Sequence, residues 1–568
     1  MIIFIISLTN MTVSVIIVPE GVHNIMKQTG KMIFINGKIF TSDRLHPYAD
    51  CMAVEDGRIA WIGRKKEMPG VYRQSVSQHE FTDLRGRRVI PGFVDAHMHP
   101  VMLADCRKQI TVMPPEIHSI EELVQAVKRQ RAVQKPGQWI LGWGYDEQSL
   151  LEKRSPNRHD LDRGCSDAPV SVMRTCAHIR CVNSAALRLA GIDRNTPDPP
   201  GGEIERDENG EPTGVLRESA SSLISPFMPE GDLTQQTANL LELGDHLSSQ
   251  GITTICDMGN LDDSDNFPVY EAAAAQGFRQ RTGVYYMWEF LEKHKDFHIP
   301  EERFDRSRRL FAAGLKLIGD GSISGRTAWM DRPYLGTDDE YGISVCGDDL
   351  MESAIRFCKE HHCQLSMHAM GGRAIARMTE RACREEPWTT DGIPYVRIEH
   401  VTEPSDESIE RAAAHGISYV SQPIFPYAES RSYLKNLGPE RIRTCYPYRQ
   451  ILEKGVLTGF STDAPATFWS DPSDPFPGLK FAVTRTAADG TDCGKDQAID
   501  IETAVILYTR GAAEAAGFRD IGMLIPGYHA DFAVLSEDLL TTAPENIDKI
   551  QVEETYIAGE LIYRKDKK

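Results

Sequence analysis

The sequence predicts an α/β protein built as a (β/α)8 TIM-like barrel, with a small composite β-sandwich from both termini and an inserted subdomain after the first barrel strand. Three observations lead there. Eight short apolar runs between residues 93 and 465 alternate with amphipathic stretches. Strand-and-turn segments occur at both ends of the chain. About 150 residues separate the first apolar run from the second, far more than one crossover needs.

The leading segment, MIIFIISLTNMTVSVIIVP, is apolar, but no Lys or Arg precedes Lys27, so it lacks the positive region of a secretory signal. Thr9 and Asn10 also interrupt it short of the roughly 20 apolar residues that span a membrane. Residues 1–31 therefore read as an extension ahead of the fold, with a weakly membrane-associating tail as the alternative. From Met32, MIFINGKIF carries an Asn36-Gly37 turn and MAVEDGRIAWIG an Asp56-Gly57 turn, both hairpin signals. HADFAVLSED and VEETYIAGELIYR, with a turn at Ala558-Gly559, resume this pattern near the C-terminus. Residues 32–90 and 515–568 are thus assigned to one β-sandwich.

Residues 91–514 are assigned to the barrel. Its eight strands are read at FVDAH (93–97), ITTICDMG (252–259), QRTGVYYM (280–287), LKLIGDG (315–321), QLSMHA (364–369), YVRIEH (395–400), ISYVSQP (417–423) and VLTGFSTDAP (456–465). Uninterrupted apolar character suits parallel strands buried on both faces. DDLMESAIRFCKEHH and SDESIERAAAHG follow two of them as amphipathic helices. The long interval, 106–250, holds a helical IEELVQAVKRQRAV and strand-like QWILGWG and APVSVMRT, and is read as a subdomain covering the barrel mouth.

Composition narrows the function. Of 568 residues, 41% are hydrophobic and 26% charged, as in a folded soluble protein, and the net charge of −19 disfavours nucleic acid as a partner. Twelve cysteines without a CxxC pair read as reduced thiols of a cytoplasmic protein. There is no GxGxxG and no P-loop. A small-molecule substrate and no stable membrane insertion are expected.

Barrel enzymes place their chemistry at the C-terminal strand ends, and the ionisable residues gather there. His97 and His99 sit two apart in PGFVDAHMHP, so in an extended strand both imidazoles project to one side. His368 ends QLSMHA, His400 ends YVRIEH and Asp463 follows LTGFST. Four histidines and an aspartate at the ends of strands one, five, six and eight form a metal-ligand set. Lys316, in the fourth strand, would point into the barrel interior. It either pairs with a carboxylate such as Asp320 or, as a neutral amine, captures carbon dioxide and becomes a bridging carbamate. Asp257 is read as support for a histidine. Glu218 is read as a ligand, a pocket acid or an exposed residue. Trp143, Tyr145 and Trp329 line a pocket or belong to the core.

With PGFVDAHMHP, LGWGYDE, RTCAHIRCVNSAAL, GGEIERDENGEPTGVLRE, GITTICDMG, GLKLIGDGSISGRTAWM, SMHAMGGRAI, RIEHV and STDAP in order, the chain resembles the amidohydrolase superfamily. Within it, the resemblance is to the amidohydrolase-3 branch of YtcJ-like proteins related to N-substituted formamide deformylase. The resemblance runs from Met32 to the C-terminus. It implies a metal-dependent hydrolase of C–N bonds other than peptide bonds, with one or two divalent ions per chain, zinc foremost. By it, His97 and His99 hold the more buried metal, His368 and His400 the more exposed one, and Lys316 bridges as a carboxylated lysine. Asp463 contacts metal and shuttles the proton, and His178 lies where relatives place a pocket histidine assigned to catalysis. Two departures stand out: Cys176-Ala177 precede His178, and GGRAI (371–375) puts Gly372 where relatives have an aspartate. A mononuclear deaminase, an isomerase and a non-catalytic homologue are the alternatives, and homodimerisation is left open.

Overall fold

The computed structural model describes residues 30–77, 81–135, 137–147, 149–175, 179–199, 202–229, 231–259 and 264–566, without the side chains of Glu218 and Ser219. Eight parallel strands form one sheet: β1 (Phe93–Met98), β2 (Ile252–Asp257), β3 (Arg281–Met287), β4 (Leu310–Ile318), β5 (Gln364–Ala369), β6 (Val396–His400), β7 (Ser418–Ser421) and β8 (Thr458–Phe460). They are paired in sequence order. All eight anticipated strands are present, and β4 begins five residues earlier than its apolar run, at Leu310. The sheet closes at its C-terminal end, where Asp463 N–H donates to His97 O at 2.7 Å and His99 N–H to Ala464 O at 2.8 Å. The Thr462 hydroxyl adds a bond to the buried Asp95 carboxylate at 2.5 Å. β1 and the segment after β8, far apart in sequence, are thereby locked together beside the first two histidines.

Both termini build a two-layer sandwich. One sheet orders Arg58–Gly63, Cys51–Glu55, Met32–Ile35 and Thr82–Asp83; the other orders Glu560–Arg564, Val552–Ile557, Phe532–Leu535, Arg88–Pro91, Lys38–Phe40 and Tyr48–Ala49. Between them Phe34 meets Phe532 edge-on, with ring centroids 5.0 Å apart, and Phe532 stacks on Tyr556 at 4.4 Å. The Asp56-Gly57 and Ala558-Gly559 turns close two-residue hairpins, with positive φ at all four residues. The Asn36-Gly37 turn does not. There the strand before the turn joins one sheet and the strand after it joins the other. Asn36, at φ 56°, makes a corner between layers, because Ile39 pairs with Val89 and Ala49 rather than folding back on Phe34.

Between β1 and β2, a six-stranded sheet runs from Ile110 to Glu218, in the order Gly202–Arg206, Pro212–Glu218, Ile179–Val182, Val170–Arg174, Ile140–Tyr145 and Ile110–Thr111. It has its own apolar core around Val112, Leu123, Ile140, Tyr145, Leu161 and Val170. The helix Leu233–Ser249 that follows packs Leu240, Leu243 and Leu247 into the main barrel core. After β4, residues 319–347 contain neither helix nor strand and lie over the C-terminal end of the barrel. Among the described residues, no helix is long and apolar enough to cross a membrane.

Candidate metal centre

Strand alternation places Lys316 on the interior face of β4, and Arg397 and Glu399 on that of β6, while Val396 and Ile398 face the surrounding helices. His400 would by that alternation point outward. Instead its backbone takes a left-handed φ of 74°, and Val401 follows at 51°. Glu399 and His400, consecutive in sequence, therefore both reach the centre. Asp463 is likewise left-handed, at φ 58°. Such conformations cost a non-glycine residue on the order of 1 kcal/mol, and they concentrate at functional sites.

The structure brings His97, His400 and Asp463 into one cluster, with one ligand-type atom from each within 4.8 Å of the others. Asp463 Oδ1 lies 3.4 Å from His97 Nε2 and 3.2 Å from His99 Nε2, and its Oδ2 is 3.8 Å from His400 Nδ1. Lys316 Nζ is 3.4 Å from His97 Nε2. The His368 ring packs against His400 with centroids 4.3 Å apart. Its Nε2, however, is turned to Gly321 O at 3.0 Å and lies 3.3 Å from Asp320 Oδ1. His178 lies outside the described residues.

Three of the four histidines are oriented from behind. His97 Nδ1 is bonded to Glu399 Oε2 at 2.6 Å, His99 Nδ1 to Gly259 O at 2.5 Å and His400 Nδ1 to Gln422 Oε1 at 2.8 Å. A ring nitrogen fixed in this way leaves the other free to face an ion, a common arrangement around metal-binding histidines. Glu399 is itself fixed by the fully buried Arg397, whose Nη2 donates at 2.9 Å, and by Ser366 Oγ at 2.7 Å. Asp257 accepts from Tyr270 OH at 2.8 Å, Asn266 Nδ2 at 3.0 Å and Gly259 N–H at 2.8 Å. It thus shapes the turn whose carbonyl orients His99, and its support of a histidine is indirect.

The electrostatics suit a cation. Burial, reinforced by the nearby Lys316 charge, pushes His97 down to about 4, and burial with the neighbouring His368 and His97 holds His400 well below the usual imidazole range. Both rings are therefore neutral, lone-pair-bearing groups at neutral pH. Burial also lowers the Lys316 amine to about 8. For Asp463, burial alone would raise the carboxyl, but His97, His99 and Lys316 outweigh it and keep it ionised. The buried Asp463 Oδ1 has no hydrogen-bond partner among the described residues. Burial would lower His99, but the Asp463 carboxylate outweighs it and raises that ring's pKa. The buried anion thus faces two neutral rings and one drawn toward protonation, an arrangement that costs stability unless a cation completes the site. This donor set of nitrogen and oxygen atoms fits a divalent metal such as zinc.

Other anticipated residues are placed differently. Asp320 does not pair with Lys316; it accepts backbone N–H bonds from Trp329, Met370 and Gly371 at 2.8–3.0 Å, tying the segment after β4 to the turn after β5. Trp329 packs against the barrel core and Tyr145 lies inside the insert's core, whereas Trp143 joins Met113, Met173 and Phe468 where the insert meets the segment after β8. Glu218 ends an insert strand. At Gly372 a Cβ would lie 1.9 Å from Asp331 Oδ2, so the Asp331 carboxylate, from the segment after β4, occupies the space a side chain there would need. Sequence reasoning missed Arg397, Glu399 and Gln422. Opposite charges two apart in the otherwise apolar strand VRIEH were the available signal for the first two; Gln422 left none.

A model of the amidohydrolase family matches residues 80–563. The chain is 30% identical over 553 residues to the putative amidohydrolase YtcJ of Bacillus subtilis, covering 94% of this chain and 100% of that protein. It is 26% identical to the N-substituted formamide deformylase of Arthrobacter pascens, covering 95% and 99%. An uncharacterized metal-dependent hydrolase from Pyrococcus horikoshii superposes with a TM-score of 0.70 at 26% identity, covering 91% of this chain and 99% of that one.

Proposed function

The chain belongs to the amidohydrolase family, and from that premise we propose that it is a metal-dependent hydrolase of a non-peptide C–N bond, in an amide or N-substituted formamide. The observation that carries the reading is the Asp463 carboxylate, ionised and without a hydrogen-bond donor on Oδ1 among the described residues, set among three imidazoles. His97, His99, His400 and Asp463 would hold the metal, with His368 and Lys316 completing a second position. A divalent ion bound there would supply Lewis acidity and lower the pKa of a water from 15.7 to about 7.

The protein's own groups account for the rest. Asp463 Oδ1 accepts the proton of the attacking water and returns it to the leaving nitrogen. Glu399, Gly259 and Gln422 keep the imidazoles in register, so little reorganisation accompanies the reaction. Lys316, with its lowered pKa, has a reactive neutral fraction near neutral pH that suits carboxylation to a bridging carbamate. The catalytic assignment of His178 rests on the resemblance alone.

A mononuclear hydrolase or deaminase is the second reading, favoured by His368 Nε2 being turned to the Gly321 carbonyl rather than to Asp463. Elemental analysis of wild type and Lys316→Ala, with hydrolysis of amides and N-substituted formamides, separates the two. Two metals per chain, falling to one or fewer in the variant, support the binuclear centre. One metal in both proteins favours the mononuclear reading. No metal in either, after growth with zinc or manganese, removes the proposed mechanism.

A further inference from the structure

The insert turns one face of its sheet toward the metal centre, and a backbone irregularity decides which residues stand on it. A β-bulge at Gly144, with φ 97°, interrupts the strand Ile140–Tyr145. Trp143 and Tyr145, two apart, would otherwise share a face. Instead Tyr145 enters the insert's own core. Trp143 packs with Met102, in the helix that directly follows His99, and with Phe468, shortly after Asp463. Register carries that face across the sheet: Trp143 pairs with Met173, and Met173 with Arg180. Residues directly opposite one another share a face, so Arg180 stands in line with Trp143, two strand spacings or roughly 10 Å away.

Arg180 is half-buried, and its partners are uncharged: Nη1 donates to Ser171 Oγ at 2.9 Å and meets Met228 Sδ at 3.2 Å. Nε is buried without an acceptor among the described residues, and Nη2 makes no bond to them either. Nε and Nη2 form an edge of the guanidinium that can grip a carboxylate through two parallel bonds. The fully buried arginines of this chain are not left so. Arg397 pairs with Glu399, and Arg485 donates from all three nitrogens to the carbonyls of Cys493, Tyr446 and Cys445. A buried cation without a countercharge is costly unless an anion arrives to pair with it. On the same face Trp143 Nε1, in a side chain only 7% exposed, is a second buried donor without an acceptor among the described residues. The face thus holds an unused guanidinium edge and an unused indole N–H, joined by the apolar Met173 side chain. It reaches the segments that carry His99 and Asp463.

We propose that Arg180 is the substrate-recognition group of this site, and that the substrate is an anion whose carboxylate is separated from the scissile C–N bond by an apolar stem. The carboxylate takes the Nε–Nη2 edge of Arg180 while the stem lies over Met173 and Trp143. This rests on the hydrolase reading above and adds to it the charge and reach of the substrate.

Three matched probes test it on the zinc-loaded full chain: formamidohexanoate, N-formylhexylamine, in which a methyl replaces the carboxylate, and N-formylcadaverine, in which an ammonium does. The expected result is a preference of at least tenfold in kcat/KM for formamidohexanoate over N-formylhexylamine, carried mainly in KM. Arg180→Met, similar in length but uncharged, should reduce that preference at least tenfold, and Arg180→Glu should move it toward N-formylcadaverine. Metal content and thermal melting of the variants establish that they fold; should Arg180→Glu not fold, Arg180→Met decides. If no probe is turned over, the hydrolase reading fails by itself, and calorimetric Kd values for the same three compounds decide recognition on the same ratios. A preference below tenfold, or one that Arg180→Met leaves in place while lowering all three rates alike, would show that Arg180 merely spans Ser171 and Met228, and overturns the proposal.

Discussion

Replacing Glu399 with Gln probes the deepest part of the site. The carboxylate bonds His97 Nδ1 at 2.6 Å on one side and the fully buried Arg397 on the other. Gln keeps the shape but removes the charge, so two consequences follow that can be measured separately. Removing one partner of a buried ion pair costs about 3–5 kcal/mol of folding stability, because the other charge stays behind. Arg397 keeps bonds to Ala96 O at 2.5 Å and Tyr285 OH at 3.1 Å, which places the loss near the lower end. Loss of the group that orients a metal-binding histidine typically weakens affinity 10- to 100-fold, roughly 1.4–2.7 kcal/mol. Urea unfolding of the metal-free protein reads the first effect, and competition with a chromogenic chelator reads the second. The double variant Arg397→Met/Glu399→Gln removes the stranded guanidinium, so it should regain stability without regaining metal affinity. Affinity in Glu399→Gln within about twofold of wild type, or affinity restored in the double variant, would refute the assignment of Glu399 to His97.

Three further outcomes are expected. Asp463→Asn should lower kcat by about 10²–10⁴-fold, read in a hydrolysis assay on protein reconstituted to full metal content; a loss below tenfold would remove Asp463 as the proton carrier. Gly314→Ala places a Cβ 1.8 Å from the Gln364 carbonyl oxygen across the β4–β5 pair. Backbone cannot rotate away as a side chain can, so urea unfolding should show a loss above about 3 kcal/mol, and a change within 0.5 kcal/mol would contradict the packing. The pH dependence of melting should show the buried side of the sandwich. Burial, with Arg281 and Arg58 nearby, lowers His529 to about 4. The folded ring then stays neutral while the unfolded one takes up a proton near pH 6.5, so its contribution is present above that pH and lost as pH falls toward 4. His529→Gln should flatten the melting curve across this window, and an unchanged slope would exclude His529 as its source.

Much of the molecule was legible from local pattern. The eight strand runs were readable because strands buried on both faces need continuous apolar residues, and the insert because nothing else explains the interval between β1 and β2. The Asp56-Gly57 hairpin followed from residues that tolerate positive φ, whereas at Ala558-Gly559 only the glycine does and Ala558 is held at φ 52°. Asn36-Gly37 carried the same signal and makes a corner instead, since a turn sequence specifies its own dihedrals but not which sheet the next strand joins.

The sequence by itself determined which chemistry was available: imidazoles two apart at the end of β1, further ionisable groups at the ends of β5, β6 and after β8, and a lysine in a strand that had to be buried. Only the tertiary structure decided which of these meet. His97 and Asp463 are brought together by the hydrogen bonds that close the barrel between β1 and the segment after β8. His400 faces the centre through a left-handed backbone at a strand end, where alternation would have turned it away. Glu399 binds His97 across the barrel, and Asp331 fills the space beside Gly372 from another segment. Contacts of this kind join residues far apart in the chain. Periodicity and spacing encode what a residue does within its own strand or helix, and closure of the sheet sets what lies across from it.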